Sequence, residues 1–199
     1  HDLEIRGAGE LLGEDQSGQM AEVGFSLYTE LLERAVRSIR QGKLPDLDAG
    51  EEERGAEVVL NVPALIPEDY LPDVHTRLTL YKRISSARDS EALRELQVEM
   101  IDRFGLLPDA VKNMFAIAEL KRQCDALGIR KLELGENGGR IVFEAKPRVD
   151  PMSVIRMIQQ QPKLYAMDGP DKLKVRVPLP EAGDRFNAAR GLLTALSPN

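Results

Sequence analysis

Lys131-Leu-Glu-Leu134, Gly135-Glu-Asn-Gly-Gly139, Arg140-Ile-Val-Phe-Glu144: two alternating segments around a glycine-rich turn. That pattern is the signature of a β-hairpin, and it fixes the centre of the fold. A second hairpin is expected from Tyr165-Ala-Met167 and Leu173-Lys-Val-Arg-Val177, split by Asp168-Gly-Pro-Asp171. In its second strand Leu173, Val175 and Val177 alternate with Lys174 and Arg176, so one side faces water. Upstream, Glu57-Val-Val-Leu-Asn-Val62 is rich in β-branched residues and reads as a strand closed by Pro63.

Helical periodicity surrounds these strands. A helix over 21–40 carries Phe25, Leu27, Leu31, Leu32, Ala35, Val36 and Ile39 on one face, and Gly42 and Pro45 stop it. Three more are expected at 74–87, 90–104 and 109–127. The first buries Leu78, Tyr81 and Ile84. The second has Ser90 as N-cap, buries Leu93, Leu96, Met100, Ile101 and Phe104, and ends at Gly105; the third buries Val111, Phe115, Ala118, Cys124 and Leu127. Asp150-Pro151 opens a short helix with Val154, Ile155 and Ile158 inward, and a last helix over 181–196 uses Phe186, Ala189, Leu192, Leu193 and Leu196. Strands and helices clustered in separate runs predict an α+β class: a small antiparallel sheet with packed helices, preceded by a glycine-rich loop and a tethering helix.

The chain divides by composition. Residues 1–44 hold the loop and the connecting helix, 45–56 form an acidic linker poor in apolar residues, and 57–199 form the main domain. Net charge is −6, distributed as −7 over residues 1–56 and +1 over the rest. An acidic whole argues against an autonomous duplex-DNA binder, because non-specific affinity comes from Lys and Arg neutralising phosphates. Arg34, Arg37 and Arg40 form a basic stripe where cations suit the C-terminal end of a helix. No apolar run approaches a membrane span and no signal-type segment is visible, so a soluble cytoplasmic protein is expected.

Chemistry-bearing patterns are few. Cys124 is the single cysteine, and His1 and His75 cannot make a histidine cluster. The carboxylates show no spacing that singles out a catalytic pair. Gly-x-x-x-x-Gly-Lys-Ser/Thr is absent, so no phosphate-cradling loop of an ATPase is present. Gly7-Ala-Gly9 opens like a dinucleotide fingerprint, but the third glycine is Gly13, one residue late. Asp2-Leu-Glu-Ile-Arg-Gly-Ala-Gly-Glu-Leu-Leu-Gly13, followed by Gln16-Ser-Gly18, reads instead as a shaped loop.

That loop closely resembles the translocation motif behind the second motor domain of bacterial transcription-repair coupling factors. The resemblance continues through Gly24-Phe-Ser-Leu-Tyr28, Leu71-Pro-Asp-Val74, Arg77-Leu78, Leu80-Tyr-Lys-Arg-Ile84, Ile101-Asp-Arg-Phe-Gly-Leu-Leu-Pro108 and Leu127-Gly-Ile-Arg-Lys-Leu132. A related fork-reversing helicase resembles only the first segment. A chain that opens at His1 inside the motif, without an initiator methionine, is expected to be an excised C-terminal piece of a longer protein.

The resemblance implies a regulatory domain attached to an ATP-hydrolysing duplex-DNA translocase of helicase superfamily 2, which displaces stalled RNA polymerase and recruits excision repair. ATP and magnesium would serve the full-length protein; this chain would hold no cofactor, no metal and no catalytic residue. Arg6 and Gln16, with Gly7, Gly9 and Gly13 permitting the turn, would couple lobe closure to stepping. The domain is expected to dock on the protein's own UvrA-binding module, for which UvrA competes. Glu95, Glu99 and Asp102 lie at i, i+4 and i+7 of one helix and could form that docking row, or an ordinary solvated face. The alternative is a freestanding protein–protein interaction module without a motor.

Overall fold

A computed structural model describes residues 18–43 and 55–198 of the chain. Among the described residues, six helices and five strands occur in the order α1 (Gly18–Arg40), β1 (Glu57–Val59), α2 (Val74–Ser85), α3 (Ser90–Phe104), α4 (Asp109–Leu127), β2 (Ile129–Gly135), β3 (Gly138–Phe143), α5 (Pro151–Gln160), β4 (Tyr165–Met167), β5 (Lys172–Val175) and α6 (Ala182–Leu196). The class is α+β. Among the described residues two compact units form: one from residues 18–43 and 63–115, the other from 55–62 and 116–198.

The first unit is helical. α1 buries Leu32 and Ala35, α2 buries Leu78, Leu80, Tyr81 and Ile84, and α3 buries Leu93, Leu96 and Met100. These are the i, i+3, i+4 stripes that the periodicity announces. Asp73 caps α2, its carboxylate accepting from Thr76 N at 2.9 Å and Thr76 Oγ1 at 2.6 Å. The hydroxyl bond from Thr76 holds that carboxyl below its ordinary range. For α3 the cap is Asp89, not Ser90: Asp89 is extended (φ −154°, ψ 176°) and accepts from Ala92 N, while Ser90 is already helical. Ile101, expected inside, is 40% exposed, because the buried stripe of α3 is narrower than its apolar stripe; Phe104 is half-buried.

Inside this unit, Tyr81 Oη accepts from Ile66 N at 2.8 Å, and burial raises the phenol's pKa. Buried Arg77 donates to the carbonyls of Leu71 and Pro72. Both contacts tie the irregular stretch 63–73 to α2, which satisfies backbone groups that no ladder serves.

The second unit is a five-stranded sheet, ordered β1-β2-β3-β5-β4, with one face packed by helices. The Lys131–Glu144 hairpin forms as β2 and β3, and the second hairpin as β4 and β5; each pairs antiparallel. β1 lies parallel to β2, Glu57 opposite Lys131, so the sheet is mixed where an antiparallel one was expected. Parallel pairing requires a long crossover, supplied here by the chain between residues 60 and 128. β1 is also shorter than expected, since Asn61 turns with φ 56° and donates Nδ2 to Leu134 O.

One sheet face carries Val58, Leu132, Leu134, Ile141, Leu173 and Val175 into a core with Leu120, Cys124 and Leu127 of α4 and Phe186, Ala189, Leu192, Leu193 and Leu196 of α6. α5 is capped by Asp150 and begins with Pro151, but buries nothing fully; Ile155, expected inward, is 43% exposed. Buried Lys121 and Asp125, one turn further along α4, hold both backbone groups of Ala56, Nζ donating to its carbonyl and Oδ1 accepting from its N–H at 2.7 Å. The edge strand is thereby pinned to α4.

Candidate functional site

The acidic row falls on α3, whose inner face is committed to the first unit's core. The three carboxylates have different fates. Glu99 is held by Arg83 of α2 through two bonds, Nη1 to Oε2 at 2.6 Å and Nη2 to Oε1 at 2.8 Å, and by Arg103 Nη1 at 3.2 Å. A planar fork on a carboxylate is the strongest geometry such a pair can adopt. The Arg83 bonds, aided by Arg103, lower the Glu99 carboxyl to about 2. Arg103 also sits 4.7 Å over the Phe104 ring, which meets Tyr70 edge-on at 6.2 Å. Glu99 is therefore a brace between two helices.

Glu95 and Asp102 are exposed, and between them lie Val98, 54% exposed, and Ile101. Leu106, just past the helix, is 86% exposed. Sequence reasoning missed these apolar members. Val98 lies off the buried stripe of α3, and that displacement was the available signal. The outer face of α3 thus offers two carboxylates around an apolar patch, a surface suited to a protein partner and without the parts of a reaction centre.

The brace has a pH signature. Because the folded carboxyl is lowered from an ordinary 4.5 to about 2, its contribution is fully present above 4.5 and is lost as pH falls toward 2. Glu99→Gln is expected to reduce stability at neutral pH by about 1 kcal/mol, a figure that allows for solvent screening at a partly exposed pair. It should also flatten the acid limb between those values; urea unfolding followed at stepped pH measures both.

Arg6, Gln16, Gly7, Gly9 and Gly13 lie outside the described residues. Cys124 is buried against the sheet, and burial, then the neighbouring Asp125 charge, pushes its thiol up to about 12, which makes it unreactive. His75 sits at the start of α2 beside the capping Asp73. Among the described residues no group of three His, Cys, Asp or Glu side chains could hold a metal, and no helix is long and apolar enough to cross a membrane.

The TRCF domain family matches residues 60–154. A transcription-repair-coupling factor of Escherichia coli is 50% identical over 199 residues, all of this chain and 17% of that protein. Those of Haemophilus influenzae and Myxococcus xanthus are 47% and 39% identical over 197 and 198 residues, 99% of this chain in each case and 17% and 16% of theirs. The chain therefore spans about a sixth of the length of the curated relatives it matches. A crystal structure of the C-terminal domain of transcription-repair coupling factor superposes with a TM-score of 0.55 at 23% identity, covering 71% of this chain and 94% of that one, and shows a shared fold. With coupling factors matching from end to end and the TRCF domain inside that match, the chain belongs to the transcription-repair coupling factor family and carries its C-terminal TRCF domain.

Proposed function

We propose that this chain is the regulatory end of an ATP-driven duplex-DNA translocase that displaces stalled RNA polymerase in the cytoplasm and recruits excision repair. The observation that carries this reading is the 50% identity over the whole chain to a coupling factor of which it covers only 17%. The phosphate-loop pattern is absent from its sequence, so no step of ATP hydrolysis is assigned to these residues, and ATP with magnesium would act elsewhere in the protein. Arg6 and Gln16, hinged by Gly7, Gly9 and Gly13, would pass the motor's closure to the DNA.

In this reading the outer face of α3 docks on the protein's own UvrA-binding module and restrains the motor until UvrA takes that module. Restraint that must release calls for a modest, partly polar interface. Glu95, Asp102, Val98 and Ile101 fit that description, whereas Glu99 contributes by holding α3 in place. The test uses the full-length protein with Glu95→Lys and Asp102→Lys, which spares the Glu99 brace. Basal ATP hydrolysis and UvrA binding should each rise about fivefold or more, as loss of an intramolecular coupling implies. Unchanged values for both would reject α3 as the docking face.

A further inference from the structure

The sheet face opposite the core carries its own charge pattern. Strand alternation and register place Glu57 of β1, Lys131 and Glu133 of β2, Arg140 of β3, and Lys172 and Lys174 of β5 on that side. Arg176 extends the β5 row, its N–H bonded to Leu164 O and its side chain exposed. The carboxylates are spent toward one edge: Lys131 lies 3.9 Å from both Glu57 and Glu133, and Arg140 lies 3.3 Å from Glu133. Among the described residues, Lys172, Lys174 and Arg176 have no ion-pair partner. Arg140 also stands directly opposite Lys174 in the ladder. Like charges so placed oppose sheet pairing, and an arriving anion would relieve that repulsion.

We propose that this basic strip docks an extended acidic segment of a partner protein. Cations at alternate residues of β5 repeat at roughly 6.6–6.8 Å, the same repeat at which an extended polypeptide presents every second side chain. A segment with acids at alternate positions can therefore meet Lys172, Lys174 and Arg176 in register, with Arg140 beside the middle contact. Nucleic acid fits less well. Among the described residues this face has no aromatic side chain on which bases could stack, and Glu57, Glu133 and the net charge of −6 repel a phosphate backbone. The strip is on the second unit and its role is independent of the α3 surface.

Fluorescence anisotropy at low salt tests this with the 199-residue chain and two labelled peptides of identical composition, one alternating glutamate with serine and one with the glutamates in a block. The alternating peptide should bind about fivefold tighter, and Lys174→Glu with Arg176→Glu, which replaces two attractive contacts by repulsive ones, should weaken it about tenfold. Lys174→Gln with Arg176→Gln should weaken it less, and Lys112→Glu, an exposed cation of α4, should leave it unchanged. Equal binding of the two peptides, wild-type binding by the double Glu variant, or tighter binding of single-stranded or duplex DNA of equal charge would each overturn the proposal.

Discussion

Gly139→Ala is expected to destabilise the second unit by more than about 4 kcal/mol, the class of effect seen when backbone itself must move. A Cβ at Gly139 would run into the carbonyl of Glu133 and would lie 3.1 Å from Leu134 Cα, all of it backbone of the facing strand. Neither atom can yield without breaking the β2–β3 ladder in which Leu134 opposes Gly139. Gly138 is similarly confined against the Val175 carbonyl and has φ 96°, so the turn end of the hairpin admits no side chain at two consecutive positions. Gly169→Ala supplies the contrast: its φ is 84° but nothing lies within 4 Å, so only backbone strain of about 1 kcal/mol is expected. Urea unfolding by circular dichroism should separate the two by their midpoints, and a Gly139→Ala midpoint equal to wild type would refute the hairpin register.

Arg185→Met is expected to cost about 3 kcal/mol, because several acceptors of the second unit lose their donor together. The guanidinium, 7% exposed, donates Nε to Leu179 O at 3.0 Å, Nη1 to Leu60 O at 3.3 Å and Asn61 O at 3.1 Å, and Nη2 to Pro180 O at 3.2 Å. Two stretches of chain more than a hundred residues apart, the end of β1 and the lead-in to α6, are thereby stitched by one planar group. Arg185→Lys should recover only part of the loss, since an ammonium is a point donor that cannot span a fork's set of carbonyls. Equal unfolding midpoints for wild type and Arg185→Met would show that water or backbone satisfies those acceptors instead.

These two sites mark the boundary of what pattern alone conveys. The hairpin at Lys131–Glu144 was legible because its turn chemistry and its alternation lie within fifteen consecutive positions. The extents of α3 and α4 were legible because Gly105, Pro108 and Gly128 punctuate them. The pairing of β1 beside β2 was not, since nothing local to Glu57–Val59 names a partner across some seventy residues. Burial of Lys121 and Arg185 was hidden for another reason: a pattern reading assigns cations to water, and only the fold reveals carbonyls waiting for them. On α3 the acidic row was visible but its division of labour was not, because Arg83, which engages Glu99, belongs to another helix. Ile101 was misplaced for a different reason, an apolar stripe wider than the face the neighbouring helices cover.

In the proposed function, this end of the protein holds back a motor located elsewhere in it. The measurement that bears on it most directly is steady-state ATP hydrolysis, with and without duplex DNA, by the full-length protein and by a version ending at residue 54. Restraint predicts that the shortened protein hydrolyses ATP at least about fivefold faster without DNA, the lower end of a typical allosteric coupling, and gains less when DNA is added. Equal basal rates in the two proteins would contradict it.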